Sequence, residues 1–313
     1  MRLLTAAAAL VIVALTATAP AGLAQGTMSA AEQANLTLVQ DWWRLVIQAR
    51  NVAEAEKFMA PDYIQHNPNI NTGRDAFVKI FGARPPVTPA PREMTPPPII
   101  EFAKGPYVVF VWEREAKDAM GVAYKYNFFD IVRVENGRVA EHWDSVFRPV
   151  PAAGQPAPMP VVPGIGPRPV KPRNTPAEQA NEDLANIEYK DILQYGHVEL
   201  AEKVMAPGYI QHNPNVPTGR AAFVEFFSKI RQPEPIRPEW KDEPELVITS
   251  GNMVLHMFKR FSADPSTPGA VYKWNWFDLV RVDGGLVREH WDMAMKTPPP
   301  ASVPMPAGFR EYR

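Results

Sequence analysis

YIQHNPN at residues 63–69 recurs letter for letter at residues 209–215, an offset of 146 positions. A second motif, EHWD, stands at residues 141–144 and again at residues 289–292, an offset of 148 positions. Two motifs in the same order at nearly the same spacing indicate an internal repeat, with two extra residues in a loop of the second copy. The sequence therefore predicts two copies of one domain.

The segments outside the repeat have compositions of their own. Met1 and Arg2 precede an apolar run and a stretch of small residues, which is typical of a Sec-type signal peptide cut near Ala24. Proline is frequent between the two copies and again after the second, which predicts an extended linker and an unstructured tail. The predicted organisation is a signal peptide at 1–24, a first domain at 29–148, a linker at 149–174, a second domain at 175–297 and a disordered tail at 298–313.

Charge and cysteine content narrow the choice of partners. The chain has 33 Lys and Arg against 34 Asp and Glu, a formal net charge of −1. These charges are well mixed along the chain, so no basic stripe indicates a nucleic-acid partner. The chain has no cysteine, which excludes disulfides, thiolate ligands and a cysteine nucleophile. We expect a periplasmic or secreted protein that binds a small molecule, with no nucleic-acid partner and no membrane attachment after signal cleavage.

Each copy reads as helices followed by strands. Ser29 and Thr175 each stand three residues before a glutamate, the pattern of a capping box at a helix start. Leu36, Val39, Trp43 and Val46 recur at helical spacing and are predicted core residues. The predicted fold class is α+β, as tandem cone-shaped domains, each with three helices packed on a strongly curved antiparallel sheet. We expect the two copies to form a pseudo-dimer within one chain.

The order of these elements resembles a known family. Two helices, a strand ending in YIQHNP, a Gly-Arg helix, long strands and a closing EHWD are similar to the SnoaL-like branch of the nuclear transport factor 2-like superfamily. The resemblance covers nearly all of both copies and implies the fold. Members of that superfamily include polyketide cyclases, ketosteroid isomerase and scytalone dehydratase, and also domains that only bind, so the fold alone does not imply an activity.

The hairpin near residue 136 decides which side chains share a sheet face. If Glu135, Asn136 and Gly137 form a right-handed turn ending in a glycine bulge, Asp130 lies opposite His142, with Asp144 on the same face. If Asn136 and Gly137 form a two-residue I′ turn, Asp130 faces Trp143 and the cluster dissolves. The turn residues favour the bulge, because Gly137 can supply the positive φ.

The resemblance implies a role for Asp130 and Asp278, and this sequence departs from ketosteroid isomerase at the position of the general base. Ketosteroid isomerase keeps a protonated, hydrogen-bond-donating aspartate on the strand position that Asp130 and Asp278 match. Its general base is an aspartate before a proline, and the matching residues here are Asn67 and Asn213. Since an amide cannot take a proton, isomerisation by that route is not expected. The histidines of the two motifs are the alternative bases, although each could equally be a core ring with a satisfied hydrogen bond.

The candidate residues fall into two groups. The predicted catalytic residues are Asp130, His142, Asp144 and His66 in the first copy and Asp278, His290, Asp292 and His212 in the second. The predicted ligand-binding residues are Tyr63, Asn67, Tyr209, Asn213 and His256. His256 stands where the first copy has Phe110, which indicates that the two pockets differ.

Three hypotheses for the function follow. The first is a cofactor-free acid–base enzyme, an aldol-type cyclase, isomerase or dehydratase acting on a small enolisable carbonyl compound, as the resemblance implies. The second is a non-catalytic periplasmic pocket for a hydrophobic small molecule. The third joins His66, His142 and Asp144 in a metal site of two histidines and one carboxylate. We expect no cofactor and no metal under the first two.

Overall fold

The computed structural model describes residues 27–151, 154 and 158–296. The predicted signal peptide at 1–24 and the predicted tail at 298–313 lie outside these residues. Within the described part of the chain, no helix is both long enough and apolar enough to cross a bilayer. The described residues form two series of elements in the same order, one in each half of the chain.

The first series begins with a capped helix. The Ser29 side chain accepts the Glu32 backbone N–H, and the Glu32 carboxylate accepts the Ser29 N–H, so the predicted capping box is confirmed. The elements are α1 (Ala30–Trp42), a π-helical segment (Trp43–Gln48), a 3₁₀ turn (Val52–Glu54), α2 (Ala55–Phe58), β1 (Met59–Gln65), α3 (Arg74–Phe81), β2 (Ile100–Lys104), β3 (Tyr107–Lys117), β4 (Ala123–Glu135) and β5 (Arg138–Asp144).

The second series repeats the first. Thr175 and Glu178 form the second capping box, and Pro176 stands at the first helical position, where its missing N–H costs no hydrogen bond. The elements are α4 (Pro176–Asn186), a π-helical segment (Ile187–Gln194), a 3₁₀ turn (Val198–Leu200), α5 (Ala201–Val204), β6 (Met205–Gln211), α6 (Arg220–Ile230), β7 (Leu246–Ser250), β8 (Met253–Ala263), β9 (Val271–Asp283) and β10 (Leu286–Asp292).

Each half contains one open five-stranded sheet packed against helices, which confirms the predicted α+β class. The strand orders are β1-β5-β4-β3-β2 and β6-β10-β9-β8-β7. Four strands of each sheet are antiparallel neighbours, as predicted. The strands β1 and β6 differ, because they pair parallel to β5 and β10. A parallel pair needs a long connection, and the helix and three strands between β1 and β5 provide it.

One face of each sheet packs against the helices of the same half. Side chains alternate along a strand, so every second residue of β3 and β4 points toward these helices. In the first half, Trp42 of α1 is fully buried in this core, whereas Trp43, the predicted core residue, is only partly buried. The helix therefore turns slightly away from the orientation that the spacing predicted.

The opposite faces of the two sheets pack against each other. A single apolar cluster contains side chains from both sheets, including Trp143 and Trp291. The rings of Phe129 and Phe277 stack across it, with centroids 5.7 Å apart and planes 9° apart. Asn127 also donates from Nδ2 to the backbone oxygen of Asp292 at 3.0 Å. The faces that carry the tryptophans are therefore covered by the other half of the chain.

The linker lies along the first domain. Val162 donates its N–H to Asn71 Oδ1 at 2.6 Å and accepts the Thr72 N–H at 3.1 Å. A Cβ placed on Gly164 would overlap the carbonyl oxygen of Gln65, so the linker approaches β1 more closely than any residue larger than glycine allows.

Candidate functional site

The β4–β5 turn differs from the favoured prediction. Asn136 and Gly137 have φ values of 50° and 68°, and Glu135 pairs with Arg138, so the connection is a two-residue turn of the I′ kind. The prediction of a glycine bulge at Gly137 is therefore wrong. An asparagine tolerates the left-handed region better than most residues, which lets both central positions adopt positive φ.

A bulge lies instead within β5, two residues after Arg138. Arg133 pairs with Glu141 and Val134 with Val139, which leaves Ala140 as one extra residue on β5. A two-residue turn alone would place Asp130 and Asp144 on opposite faces of the sheet. The extra residue in β5 returns them to the same face. Asp130 therefore lies opposite Asp144, rather than opposite His142 as predicted, and all three side chains point to the helix-covered face.

The second hairpin repeats this arrangement. Gly284 and Gly285 have φ values of 60° and 70° and form the two-residue turn, and the extra residue on β10 is Arg288. Asp278 pairs directly with Asp292.

In the first domain, Asp130, His142 and Asp144 form a buried cluster. His142 Nε2 lies 3.0 Å from Asp130 Oδ1, and the Trp112 indole N–H donates to Asp130 Oδ2 at 2.7 Å. The Asn67 side-chain amide donates to Asp144 Oδ2 at 2.6 Å, while Asp144 Oδ1 is buried with no hydrogen-bond partner among the described residues. One carboxylate is thus tied to the imidazole, and the other keeps a free acceptor.

The second domain holds the same cluster with one more carboxylate. His290 Nε2 lies 3.2 Å from Asp278 Oδ1 and 3.6 Å from Asp292 Oδ2, and Asn213 donates to Asp292 at 2.7 Å. The other ring nitrogen, Nδ1, lies 3.0 Å from Oε1 of Glu188, a fully buried residue of the helical layer. The imidazole is therefore held between carboxylates on both sides.

Glu188 is absent from the residues predicted from the sequence. It occupies the position of Trp42 in the first copy, next to Tyr189 in the position of Trp43. An acidic residue on the buried face of an amphipathic helix is rare unless it has a partner, and this anomaly is the sequence signal that would have found it.

In each domain a tryptophan indole donates to the strand aspartate, but the tryptophan lies on a different strand in the two domains. Trp112 on β3 donates to Asp130, whereas Trp276 on β9 donates to Asp278 Oδ2 at 2.7 Å. Phe258 stands in the second domain where the first has Trp112. Each carboxylate thus keeps an aromatic N–H donor, although the tryptophan has changed strand.

Burial and charge shift the pKa values of these groups. Burial lowers the pKa of a histidine, but the hydrogen bond and charge of Asp130 outweigh it and raise the pKa of His142 above its usual value. For His290, burial is outweighed by Asp278 and Glu188 together, and its pKa lies well above the usual value. Burial raises the pKa of Asp144 to about 6 and that of Asp292 to about 6.

The histidines of the YIQHNPN motif lie on the other sheet face. His66 Nε2 is 2.9 Å from Glu141 Oε1, and its ring stacks on Trp143 at 4.7 Å. His212 likewise contacts Glu289 at 3.1 Å and stacks on Trp291. Because alternate residues of β5 and β10 point to opposite faces, the prediction that His66 and His212 join the catalytic cluster is wrong. Burial also lowers the pKa of His66, despite its bond to Glu141.

The predicted ligand-binding residues have mixed positions. Tyr63 and Tyr209 are buried, and each hydroxyl accepts from the glutamine two residues on. Asn67 and Asn213 contact the site carboxylates. His256 is fully buried, its Nε2 lies 2.9 Å from Asn186 Oδ1, and burial lowers its pKa to about 3.

A cavity of about 660 Å³ opens on the cluster of the second domain. Asp278, His290 and Asp292 line it together with Asn213, whereas Tyr209 and His256 do not. One side of the cavity is apolar and consists of Tyr189, Leu193, Val216, Phe223, Phe227, Ile230, Phe258 and Trp276. The rest of the lining is polar and includes the charged residues Arg231, Glu234, Lys241, Asp242 and Arg260. A pocket of this size suits a small organic ligand that has both an apolar part and polar groups.

The first domain has a cavity of about 520 Å³ at the corresponding strands. Trp43, Trp112 and Arg114 line it, at the positions of Tyr189, Phe258 and Arg260, but Asp130, His142 and Asp144 do not. The rings of Trp43 and Trp112 stack at 5.1 Å, and the Trp43 ring lies 6.4 Å from that of His142. Two tryptophans thus stand between this cavity and the buried cluster.

The two clusters fit a metal ion poorly. The carboxylate and imidazole atoms of each lie within 4.8 Å of one another, which is close enough for shared ligation. However, the imidazole nitrogen that would bind the ion already faces a carboxylate oxygen, with His142 Nε2 at 3.0 Å from Asp130 and His290 Nε2 at 3.2 Å from Asp278, so a metal ion would have to displace the proton between them. The predicted set of His66, His142 and Asp144 is wrong, because His66 points to the opposite face.

One family of known proteins matches a part of the first domain. Residues 39–142 match the family described as the SnoaL-like domain. No curated protein matches the chain. The extra Glu188 carboxylate belongs to the second domain, outside the matched residues.

Solved structures resemble this chain over about one domain each. A protein described as a SnoaL-like polyketide cyclase from Jannaschia sp. CCS1 has 18% identity over 38% of this chain and 88% of its own, with a TM-score of 0.29. One described as a polyketide cyclase from Bacillus cereus ATCC 10987 has 16% identity over 36% and 72%, with a TM-score of 0.27. A nuclear transport factor 2-like protein of unknown function from Burkholderia pseudomallei K96243 has 20% identity over 38% and 92%, with a TM-score of 0.27.

Proposed function

We propose that this chain, whose residues 39–142 form a SnoaL-like domain, carries out cofactor-free acid–base chemistry on a small enolisable carbonyl compound in its second-domain cavity. One observation carries the proposal: Asp278, His290 and Asp292 meet at the wall of a cavity of about 660 Å³ that has an aromatic side. The reaction class is an aldol-type cyclisation, isomerisation or dehydration, each of which begins with removal of a proton next to a carbonyl group.

Asp292 is the base in this proposal. A pKa of about 6 leaves the carboxylate mostly ionised at neutral pH, while it still holds a proton well enough to remove one from carbon. The proton leaves the carbon next to the carbonyl group and moves to Asp292. The electron pair of the broken C–H bond passes into the carbonyl group, whose oxygen becomes an enolate.

The neighbouring groups absorb the change of charge. His290 lies between Asp278 and Asp292, and its positive charge offsets that of the carboxylates in a buried setting, where electrostatic interactions are strong. Asp278, fixed by the Trp276 indole, accepts from His290 Nε2, and the positive charge of the His290 ring stabilises the developing enolate. The aromatic side of the cavity, which includes Tyr189, Phe258 and Trp276, holds the apolar part of the substrate.

Proton exchange tests this proposal without knowledge of the natural substrate. The mature protein is incubated in deuterated water with a panel of enolisable aromatic ketones that includes 2-tetralone, and deuterium incorporation is followed by mass spectrometry. We expect exchange above the buffer rate, and its loss in the Asp278→Asn, Asp292→Asn double variant. Saturable binding of the ketones with no exchange by the wild-type protein would favour the non-catalytic pocket instead.

We also propose that the protein is exported and acts as a single-chain pseudo-dimer. The apolar run before Ala24 supports export, and the apolar cluster shared by the two sheets supports the pseudo-dimer. Sequencing of the amino terminus of the protein from a periplasmic fraction tests the first part, with Gln25 as the expected first residue. An uncleaved amino terminus would contradict export by this route.

A further inference from the structure

The two buried histidines differ in what faces Nδ1. In the second domain Nδ1 of His290 faces Glu188 Oε1 at 3.0 Å. In the first domain the corresponding helix residue is Trp42, whose ring meets that of His142 edge-on at 5.7 Å. The Nδ1 atom of His142 lies instead 3.3 Å from Gln65 Nε2.

The orientation of Gln65 is fixed by its other contacts. Its Oε1 accepts the Asn67 backbone N–H at 3.0 Å, so its amide nitrogen must be the atom that faces His142. An amide N–H donor opposite Nδ1 favours a ring with no proton on that nitrogen. In the first domain the neutral ring therefore satisfies both contacts, with its single N–H directed from Nε2 to Asp130. Asp130 raises the pKa of His142, but the donor that faces Nδ1 opposes a second proton there, whereas the carboxylate that faces Nδ1 of His290 favours one.

In the second domain the contacts favour the doubly protonated ring instead. A carboxylate is an acceptor only, so His290 makes both of its hydrogen bonds only if Nδ1 and Nε2 each carry a proton. The doubly protonated ring is the form that Glu188 and Asp278 stabilise together. The titratable groups around this ring are Glu188 and Tyr189 of the π-helical segment, His256 of β8, Asp278 of β9 and Asp292 of β10. Tyr209 of β6 donates to Glu188 Oε1 at 3.4 Å.

The helix that carries Glu188 is locally widened. The π-helical segment of the second domain starts at Ile187 and includes Glu188, whereas that of the first starts at Trp43, one residue after Trp42. Such π-helical insertions often occur at functional sites. Glu188 is fully buried, and its Oε2 has no hydrogen-bond partner among the described residues. Burial of a partly satisfied carboxylate is costly, so a purely structural role does not explain it.

We propose that Glu188 is a positioning residue that holds His290 in its doubly protonated form, and that only the second domain is therefore equipped for proton transfer. The first domain, with Trp42 in that position and Trp43 and Trp112 over its cluster, serves as the structural half of the pair. This inference rests on the proposed function for the role of the site, but the state of the ring can be tested separately.

Nitrogen NMR of the imidazole rings is that separate test. In wild-type protein labelled with ¹⁵N-histidine, we expect both His290 nitrogens in the N–H form at pH 7.5, and His142 with one unprotonated nitrogen. Single His142→Gln and His290→Gln variants assign the resonances. Identical protonation of the two rings would overturn the inference, and this measurement requires no folding of a Glu188 variant.

The Glu188→Gln variant tests the positioning role. We expect loss of the Nδ1 proton of His290 at pH 7.5 and an at least tenfold fall in kcat for exchange of 2-tetralone, with KM unchanged. Glu182→Gln is the matched control, since Glu182 is a buried carboxylate of the same helix that contacts Lys171, Asn174 and Thr249 instead of the site. An unchanged His290 spectrum in Glu188→Gln would overturn the inference. A changed spectrum in a protein whose wild type exchanges no ketone would leave the positioning role standing and defeat the proposed function alone.

Discussion

Asp278 and Asp292 face each other directly across β9 and β10, and Nε2 of His290 lies 3.2 Å from one carboxylate and 3.6 Å from the other. Two buried carboxylates at this separation repel each other unless a proton or a positive charge lies between them. The imidazole supplies that charge. Asp278, His290 and Asp292 are therefore able to pass one proton among themselves, which is the property that the proposed chemistry requires.

Stability should fall as pH rises, because of Asp292. Its pKa is about 6 in the folded chain against a usual 3.8, so the folded state binds this proton more tightly than the unfolded state. The free energy of unfolding then decreases as pH rises from about 4 through 6, by on the order of 2–3 kcal/mol for one such group. The raised pKa of His290 acts in the same direction, since its contribution is lost as pH rises through the folded value.

The Asp292→Asn variant should flatten this dependence. Urea unfolding at pH 4.5 and 7.5 measures it, and the stability of the variant relative to wild type should improve between the two values. Asp62→Asn, at an exposed position, is the control and should leave the dependence as it is. An equal slope in wild type and Asp292→Asn would show that Asp292 ionises freely in the folded protein.

Glu141 and Glu289 pair with the histidines that stack on Trp143 and Trp291. These ion pairs should stabilise the fold without affecting deuterium exchange in the cavity. Glu141 is buried and accepts from His66 at 2.9 Å and from Arg133 at 2.6 Å. Glu141→Gln removes the buried carboxylate from Arg133 and leaves it only the more exposed Glu135, 3.4 Å away, so it should cost about 3 kcal/mol of unfolding free energy. Glu289→Gln, whose side chain is more exposed at 16%, should cost less. Equal losses in urea unfolding, or lost exchange of 2-tetralone, would contradict this account.

The close approach of the linker predicts an effect of one methyl group. In Gly164→Ala the new Cβ would overlap the Gln65 carbonyl and lie 2.8 Å from Ile64 Cγ2, so the linker must move away. We expect faster proteolysis within the linker and a loss of about 1–3 kcal/mol in unfolding free energy. Gly208→Ala, with open space around its Cβ, should behave as wild type. Proteolysis at the same rate in both variants would mean that the linker is not held there.

The shared apolar cluster predicts a monomer in solution. Because Trp143, Trp291 and the stacked Phe129 and Phe277 are covered within the chain, no comparable face of either sheet is left for a second copy among the described residues. Light scattering should give the mass of a single chain, which is 34.9 kDa before any cleavage. A mass of two chains would show that the two domains pair between molecules instead.

The sequence predicted the architecture better than the site. The repeated motifs and capping boxes identified both copies and both opening helices, because these signals are local. The bulge at Ala140 has no local signal, since neither glycine nor proline marks it. It lies where the parallel pairing of β1 with β5 changes register, between Val139 and Glu141, so strand packing fixes it.

The two errors at the site have a common physical origin. Asp130, His142 and Asp144 come together although the turn prediction was wrong, because the unforeseen bulge compensates for the turn. His66 was assigned to the wrong face because its direction depends on how β1 joins β5, where the His66 N–H bonds the His142 carbonyl. Glu188 carries a sequence signal as an acidic residue on a buried helix face, but its partner His290 lies 102 residues away. Each of these features depends on a contact between elements distant in sequence.

One comparison tests the central claim most directly: the rate of deuterium exchange into 2-tetralone by the matched variants His142→Asn and His290→Asn. The account predicts that His290→Asn lowers kcat about 10²-fold or more, the usual contribution of a group that stabilises charge developing in the transition state, while His142→Asn retains the wild-type rate. Both variants should remain folded by circular dichroism. Equal losses in the two variants, or a loss only in His142→Asn, would contradict the assignment of the chemistry to the second domain.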